Sequence, residues 1–236
     1  MSEWKAKRFW TDAVVERIEG GHAVRLDGRP VMSPGKRELV MPSPALAAGV
    51  ASEWAAQGEM IDPLSMPLTR AVNTTVDKVV PQAAAVAAHL CEYGESDLLC
   101  YRAAGPDGLV ERQAAAWDPM LDWADEELGA RLAVTQGVIP VAQPANAVEA
   151  LRAAVAAATP WELTALSEFV TLSGSLVLGL AALAGRDADD LWGRSRIDED
   201  WQAEQWGVDD EAATLAASKR DAFLQARRYL DLLAAT

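Results

Sequence analysis

Between Ala13 and Val31 the chain reads AVVERIEGGHAVRLDGRPV, and two turn signals punctuate it. Gly20–Gly21 separates AVVERI from HAVRL, and Asp27–Gly28 separates HAVRL from RPV. Both dipeptides supply the positive-φ residues that tight hairpin turns need. ELVM, from Glu38 to Met41, adds a fourth short apolar stretch. A small, mostly antiparallel sheet is therefore expected at the start of the protein.

Helix follows at once. In SPALAAGVASEWAAQG, Ser43 is a natural N-cap, Pro44 suits the first helical position, and Gly58 sits where a glycine would stop the helix. Leu46, Val50 and Trp54 recur every four residues and form one inward stripe, which makes Trp54 a packing residue. Pro63 and Pro67 break the next segment into an extended link and a short helix from about Leu68. Beyond Pro81 almost every segment carries helical spacing. RLAVTQGVIPVAQP is the exception, with a period nearer two, and reads as an extended arm. The uncharged run FVTLSGSLVLGLAALAG, Phe169 to Gly185, is diluted by Thr171, Ser173, Gly174 and Ser175, so it reads as a buried core helix rather than a membrane span. The expected architecture is α+β: a β-rich domain with one or two helices over residues 1–80, then a larger helical domain over 81–236.

Composition narrows the function classes. Half of the 236 residues are apolar, enough for a proper core, and 35 acidic residues against 21 basic ones give a net charge of −14. Such a chain repels nucleic-acid backbones and anionic lipid, so a protein surface is the expected partner. Two cysteines, Cys91 and Cys100, make no disulfide framework and point to a reducing compartment. MSEWKAKRFW has no apolar core of a secretory leader, so the chain is expected to act in the cytoplasm, and with no obvious apolar seam it is expected to be a monomer.

Chemistry-bearing motifs are scarce. His89, Cys91, Asp97 and Cys100 are near one another, but His89 and Cys91 are two apart and diverge on a helix, and the other histidine, His22, lies among the strands. No GxSxG elbow, P-loop lysine or GxGxxG spacing is present. What remains is RIDEDWQAEQWGVDDEA, Arg196 to Ala212. As one helix it puts Ile197, Trp201, Glu204 and Val208 within about 40° of each other, so Trp201 is expected to face the core. Trp206 falls about half a turn away, beside Glu199 and Gln202, and needs a second surface or a partner. Gly207 can end the helix, with Asp209 or Asp210 capping the next.

Read in order, RFW, LDGRPVMSPGKREL, ASEWAAQGEMIDPLSMPLTR, DLLCYR, AAWDPMLDW, SGSLVLGLA and DEDWQAEQWGVDDEA resemble the assembly chaperones of the F1 sector of ATP synthase, from about Arg8 to Glu211. The resemblance implies a β-rich domain followed by a helical one, no catalysis and no cofactor. It implies a bacterial homologue of the mitochondrial factor whose client is the unassembled F1 α subunit, held through the surface later offered to β. The family's DExWQxxxWGxDxEA pattern is matched by Asp198, Glu199, Trp201, Gln202, Trp206, Gly207, Asp209 and Glu211. It implies a partner-binding role for Glu211, with Asp210 as its rival, together with Trp206, Gly207, Gln202, Glu199 and the Arg70 that follows MPLT. Trp54, Asp97, Tyr101, Trp117 and Trp201 are carried over as structural residues. Two other readings stay open: an acidic scaffold or adaptor without an F1 client, and a glycan-binding or glycan-processing protein stacking sugar on Trp201 and Trp206. From the buried positions expected for Trp54 and Trp201, truncating either to alanine would cost about 3–5 kcal/mol in a denaturation experiment.

Overall fold

The computed structural model describes residues 7–235. Residues 1–6, part of the stretch read as lacking a secretory leader, and residue 236 lie outside them. The chain forms two compact units: one runs to Gln82 and takes in the end of the chain from Arg228, and the other is Ala83–Arg227.

In the first unit β1 (Ala13–Ile18) pairs antiparallel with β2 (Gly21–Leu26), Ala13 facing Leu26 and Ile18 facing Gly21. The next turn puts Asp27 and Gly28 at φ 47° and 81°, as its sequence requires. β3 (Arg29–Pro30) and β4 (Val40–Met41) both pair with β2, at its two ends, so β2 is central and β1 an edge. Helix α1 (Pro44–Ala55) packs on β1 and β2 and buries Leu46, Ala47 and Val50. It stops at Ala56, short of the expected Gly58.

Trp54 corrects the expectation: it is only half-buried, edge-on to the buried Trp10 at 5.1 Å. Its neighbour Glu53 is the residue that goes inside, accepting from the backbone N–H groups of Leu68 and Thr69 (2.7 and 2.8 Å) and the Thr69 hydroxyl (2.7 Å). Helix α2 (Pro67–Thr74) has no side-chain cap of its own at Met66, and the Glu53 carboxylate fills that role. Arg8 ties the amino-terminal segment down, donating to the carbonyls of Trp10 (2.9 Å), Thr11 (3.0 Å) and Gln57 (2.6 Å).

Ser43 does two jobs. Its hydroxyl accepts from Ala45 and Leu46 at the start of α1, and it lies 2.6 and 2.8 Å from the carbonyl oxygens of Leu232 and Ala235. The hydroxyls of Thr75 and Tyr229 meet at 3.0 Å. These bonds explain why the last turns of the chain, assigned from sequence to the 81–236 domain, pack with the first unit.

The second unit is helical: α3 (Ala83–Glu92), α4 (Asp107–Leu128), α5 (Ala145–Ala156), α6 (Pro160–Ser173), α7 (Leu176–Leu183), α8 (Ala188–Arg194), α9 (Ile197–Trp206) and α10 (Asp210–Ala234), whose end belongs to the first unit. The extended arm contributes only β6 (Thr135–Gln136), parallel to β5 (Tyr101–Arg102), which contains the half-buried Tyr101. The apolar run expected as one helix is two. Gly174 turns the chain at φ 73°, and the Ser175 hydroxyl caps α7 through Leu178 N–H at 3.0 Å. Leu176 to Ala182 are all buried. Among the described residues no helix is long and apolar enough to cross a membrane.

Asp97, carried over as structural, is fully buried. Its carboxylate accepts from Leu99 N–H and Val177 N–H, each at 3.0 Å, and so fastens its loop to the amino end of α7. Burial outweighs these bonds and pushes its carboxyl up to about 6. The native state then holds a proton between about pH 4 and 6 that the unfolded chain, with an ordinary carboxyl near 3.9, has released. Stability from this group is full below about pH 4 and lost as pH rises through about 6. Wild-type stability measured against Asp97→Asn by urea unfolding is therefore expected to fall by about 2–3 kcal/mol from pH 4 to pH 7. A pH-independent difference would show that burial does not dominate at Asp97.

Candidate partner-docking site

The segment Arg194–Trp206 is held by one face of α4. Gly108, Arg112, Gln113, Ala116 and Trp117 project from that side, spread over about half of the helix circumference. Trp117 is fully buried, and its indole N–H donates to Arg194 O at 2.7 Å. Arg194 donates back to Ala116 O at 2.5 Å. Gln113, also buried, donates to Asp198 at 2.6 Å. Arg112 grips Glu204 with both terminal nitrogens, at 2.7 and 2.9 Å, and lies 4.9 Å over the Trp201 ring. That bond holds the Glu204 carboxyl below the usual carboxylate range. At Gly108 an added Cβ would come within 2.9 Å of the Trp201 ring edge, so glycine lets the ring sit where it does and a larger residue would displace it.

Two expectations are corrected here. Trp201 faces inward but is half-buried, because α9 sits on the surface of α4 and contributes no buried residue. Val208, placed by the sequence on the same inward stripe, lies beyond the end of α9 and is 69% exposed. The stripe ends because Gly207, at φ 95°, takes the chain out of the helix.

Anchoring one face of α9 leaves the other free. Glu199, Gln202 and Trp206 stand on it, all exposed, and Trp206 keeps 79% of its surface in solvent. Trp201 and Trp206 thus project from different faces of the helix and cannot line one aromatic cleft, which removes the geometry a sugar platform would need.

The carboxylates around Trp206 separate into engaged and free. Asp198 is held by Gln113, Glu204 by Arg112, and Glu199 by Arg196 at 2.7 Å. Asp209 caps α10 through Ala212 N–H at 2.8 Å, which settles the choice between Asp209 and Asp210 as cap. The side chains of Asp210 and Glu211 are exposed and bonded to no described residue. Sequence spacing could not make this division, since the partners Arg112 and Gln113 lie some ninety positions away. It also missed Leu215, which is 57% exposed on α10. Arg70 stands exposed on α2, in the first unit.

The net charge is as unevenly distributed as the aromatics. Ala83–Arg227 carries 24 acidic and 10 basic residues, while the rest of the chain has 11 of each. An outward indole beside free carboxylates, on the acidic unit, is the equipment of a protein that binds another protein.

The comparisons agree. The sequence profile of the ATP12 chaperone protein family matches residues 7–125. Crystal structures of Atp12 from Paracoccus denitrificans, and of an aspartate-to-lysine variant of it, are 52% identical, with TM-scores of 0.95 over 98% of this chain and 100% of theirs. A protein of Agrobacterium tumefaciens is 41% identical, with a TM-score of 0.91 over 96% of this chain and 86% of that one. The mitochondrial protein atp12 of Schizosaccharomyces pombe is 21% identical over 219 residues, 87% of this chain and 75% of its own length. The chain belongs to the ATP12 chaperone family, the F1-ATPase assembly chaperones to which its ordered motifs pointed.

The site geometry ranks the tryptophans. Trp117→Ala is expected to cost about 3–5 kcal/mol and Trp201→Ala about 1–3 kcal/mol, below the value expected from sequence. Trp206→Ala should fall within about 0.5 kcal/mol of wild type. Chemical denaturation at fixed salt gives all three; a loss above about 2 kcal/mol at Trp206 would mean that its ring is packed.

Proposed function

We propose that this chain holds the unassembled F1 α subunit and keeps it from aggregating until it pairs with β. The exposed indole of Trp206, beside the unengaged carboxylates of Asp210 and Glu211, carries this reading. Membership of the F1-ATPase assembly chaperones supports an F1 client, and the site offers a means of holding it without chemistry.

A subunit of a hexameric ring shows its unsatisfied interface before assembly, and such patches self-associate. A holding protein has to cover the patch and still give way to the true neighbour. Apolar burial at about 25 cal/mol per Å² lets a single indole supply a few kcal/mol before entropic costs. Carboxylates at the rim add orientation and encounter rate more than affinity, and their effect fades with salt. Gln202 and Glu199 flank the ring on the same face of α9, and Gly207 sets the angle between it and α10; these are the remaining contacts assigned to the client. Arg70 is assigned a separate contact from the first unit. This role is assigned to the cytoplasm and to a monomer of the chain, in keeping with its likeness to bacterial proteins.

Glu211→Lys is expected to lower capture of purified α subunit at low salt, with the melting temperature within a few degrees of wild type. Asp209→Ala should do the reverse, losing about 1 kcal/mol of stability through the missing cap. Capture unchanged in Glu211→Lys, measured by suppression of α-subunit light scattering, would take Glu211 out of the site.

A further inference from the structure

The amino-terminal turns of α10 are not packed. From Asp210 to Lys219 no residue is buried. The helix is anchored in its own unit by Arg220, which pairs with Asp189 at 2.7 Å, and by Phe223, buried 4.7 Å from Phe169 and 5.8 Å from Trp192. A helix stretch that buries no residue gains little from packing, so its sequence is free to answer to something else.

That sequence is EAATLAASK, small residues around one large apolar side chain. Ala212, Leu215, Ala216 and Lys219 share a face at i, i+3, i+4 and i+7. Leu215 is more than half exposed on it, and the exposed Val208 and Trp206 come just ahead of the helix. Three of the large exposed apolar side chains of the unit are thus gathered within ten positions, on either side of the Gly207 turn. Asp210 and Glu211 stand between them, at the helix start, and Lys219 closes the far end.

We propose that Trp206, Val208 and Leu215 form one continuous docking ridge, and that its occupant is an apolar groove of the client with lysine or arginine where it meets Asp210 and Glu211. Charge complementarity selects this occupant. The free carboxylates lie within the ridge, at the start of α10, where the helix dipole favours them, and the unit around them is strongly acidic, so an acidic groove or a second copy of this unit would be repelled. The small residues beside Leu215 let a groove wall approach the helix closely, in the helix-in-groove mode with this chain supplying the helix. The proposal rests on the holding function above and extends its contact from one ring to a ridge across two helices.

Purified α subunit is the probe. Four full-length chains are compared by suppression of its aggregation and by binding at two salt concentrations: wild type, Trp206→Ala, Leu215→Asp and Ala217→Asp, the last on the opposite face of α10. The ridge requires Leu215→Asp to weaken binding more than about tenfold, as Trp206→Ala does, with Ala217→Asp unaffected and wild-type binding falling as salt rises. Circular dichroism establishes that each variant folds. Loss with Trp206→Ala but not with Leu215→Asp overturns the ridge and leaves the holding function standing. A wild type that captures no α subunit overturns both. A wild-type dimer that Leu215→Asp converts to monomer overturns the proposed occupant, because the ridge would then be the chain's own interface.

Discussion

The second unit depends on one face of α4. Along it a buried indole, a buried amide, a guanidinium and a glycine successively take hold of Arg194, Asp198, Glu204 and the Trp201 ring. The elements differ in kind, and each needs the others. Trp117 supplies the buried anchor, where a lost indole leaves both a cavity and an unpaired carbonyl. Gln113 is satisfied on both sides, its oxygen accepting from Ala103 N–H at 2.8 Å while its nitrogen donates to Asp198. Arg112 and Glu204 are exposed enough for water to compete, so their pair fixes orientation more than stability. Gly108 keeps the path open for the ring.

What α4 holds determines what is left over. A helix without a single buried residue would ordinarily fray; α9 is held by its inner face, which is bonded at several points to a helix that is itself packed. Its outer face then presents Trp206 in a fixed direction, and Gly207 releases the chain into α10 at an angle that no β-carbon would tolerate comfortably. Exposure of an indole is costly for a protein that must stay dispersed, and the surrounding negative charge offsets that cost by keeping copies apart. The same charge prepares the surface for a basic partner, so solubility and recognition draw on one feature.

Much of this was legible from the sequence. Gly20–Gly21, Asp27–Gly28 and Ser43–Pro44 encode their turns and cap through short-range backbone preferences, and the structure follows them. Trp206 was readable as outward because helical periodicity needs only neighbours. The failures share a cause, which is that their partners are distant. Glu53 looks like an ordinary surface carboxylate until the uncapped amino end of α2 is beside it. Trp201 matched a core stripe, yet the helix it sits on lies at a surface. Asp198 and Glu204 looked equivalent to Glu211 until Gln113 and Arg112 engaged them. Helical periodicity gives no role to Arg8 in RFW or to Glu53 in ASEW. Arg8 bonding successive carbonyls and Glu53 capping α2 now give a physical reason for them.

The central claim is that the client covers the turn between α9 and α10 while α4 keeps that turn in place. Backbone hydrogen exchange read by mass spectrometry, on the full chain alone and saturated with α subunit, tests it directly. Exchange should slow across residues 205–217 on binding, with α4 unchanged because its bonds to α9 are already made. Unaltered exchange over that stretch, accompanied by slowing at some other surface, would contradict the account and move the grip elsewhere on the protein.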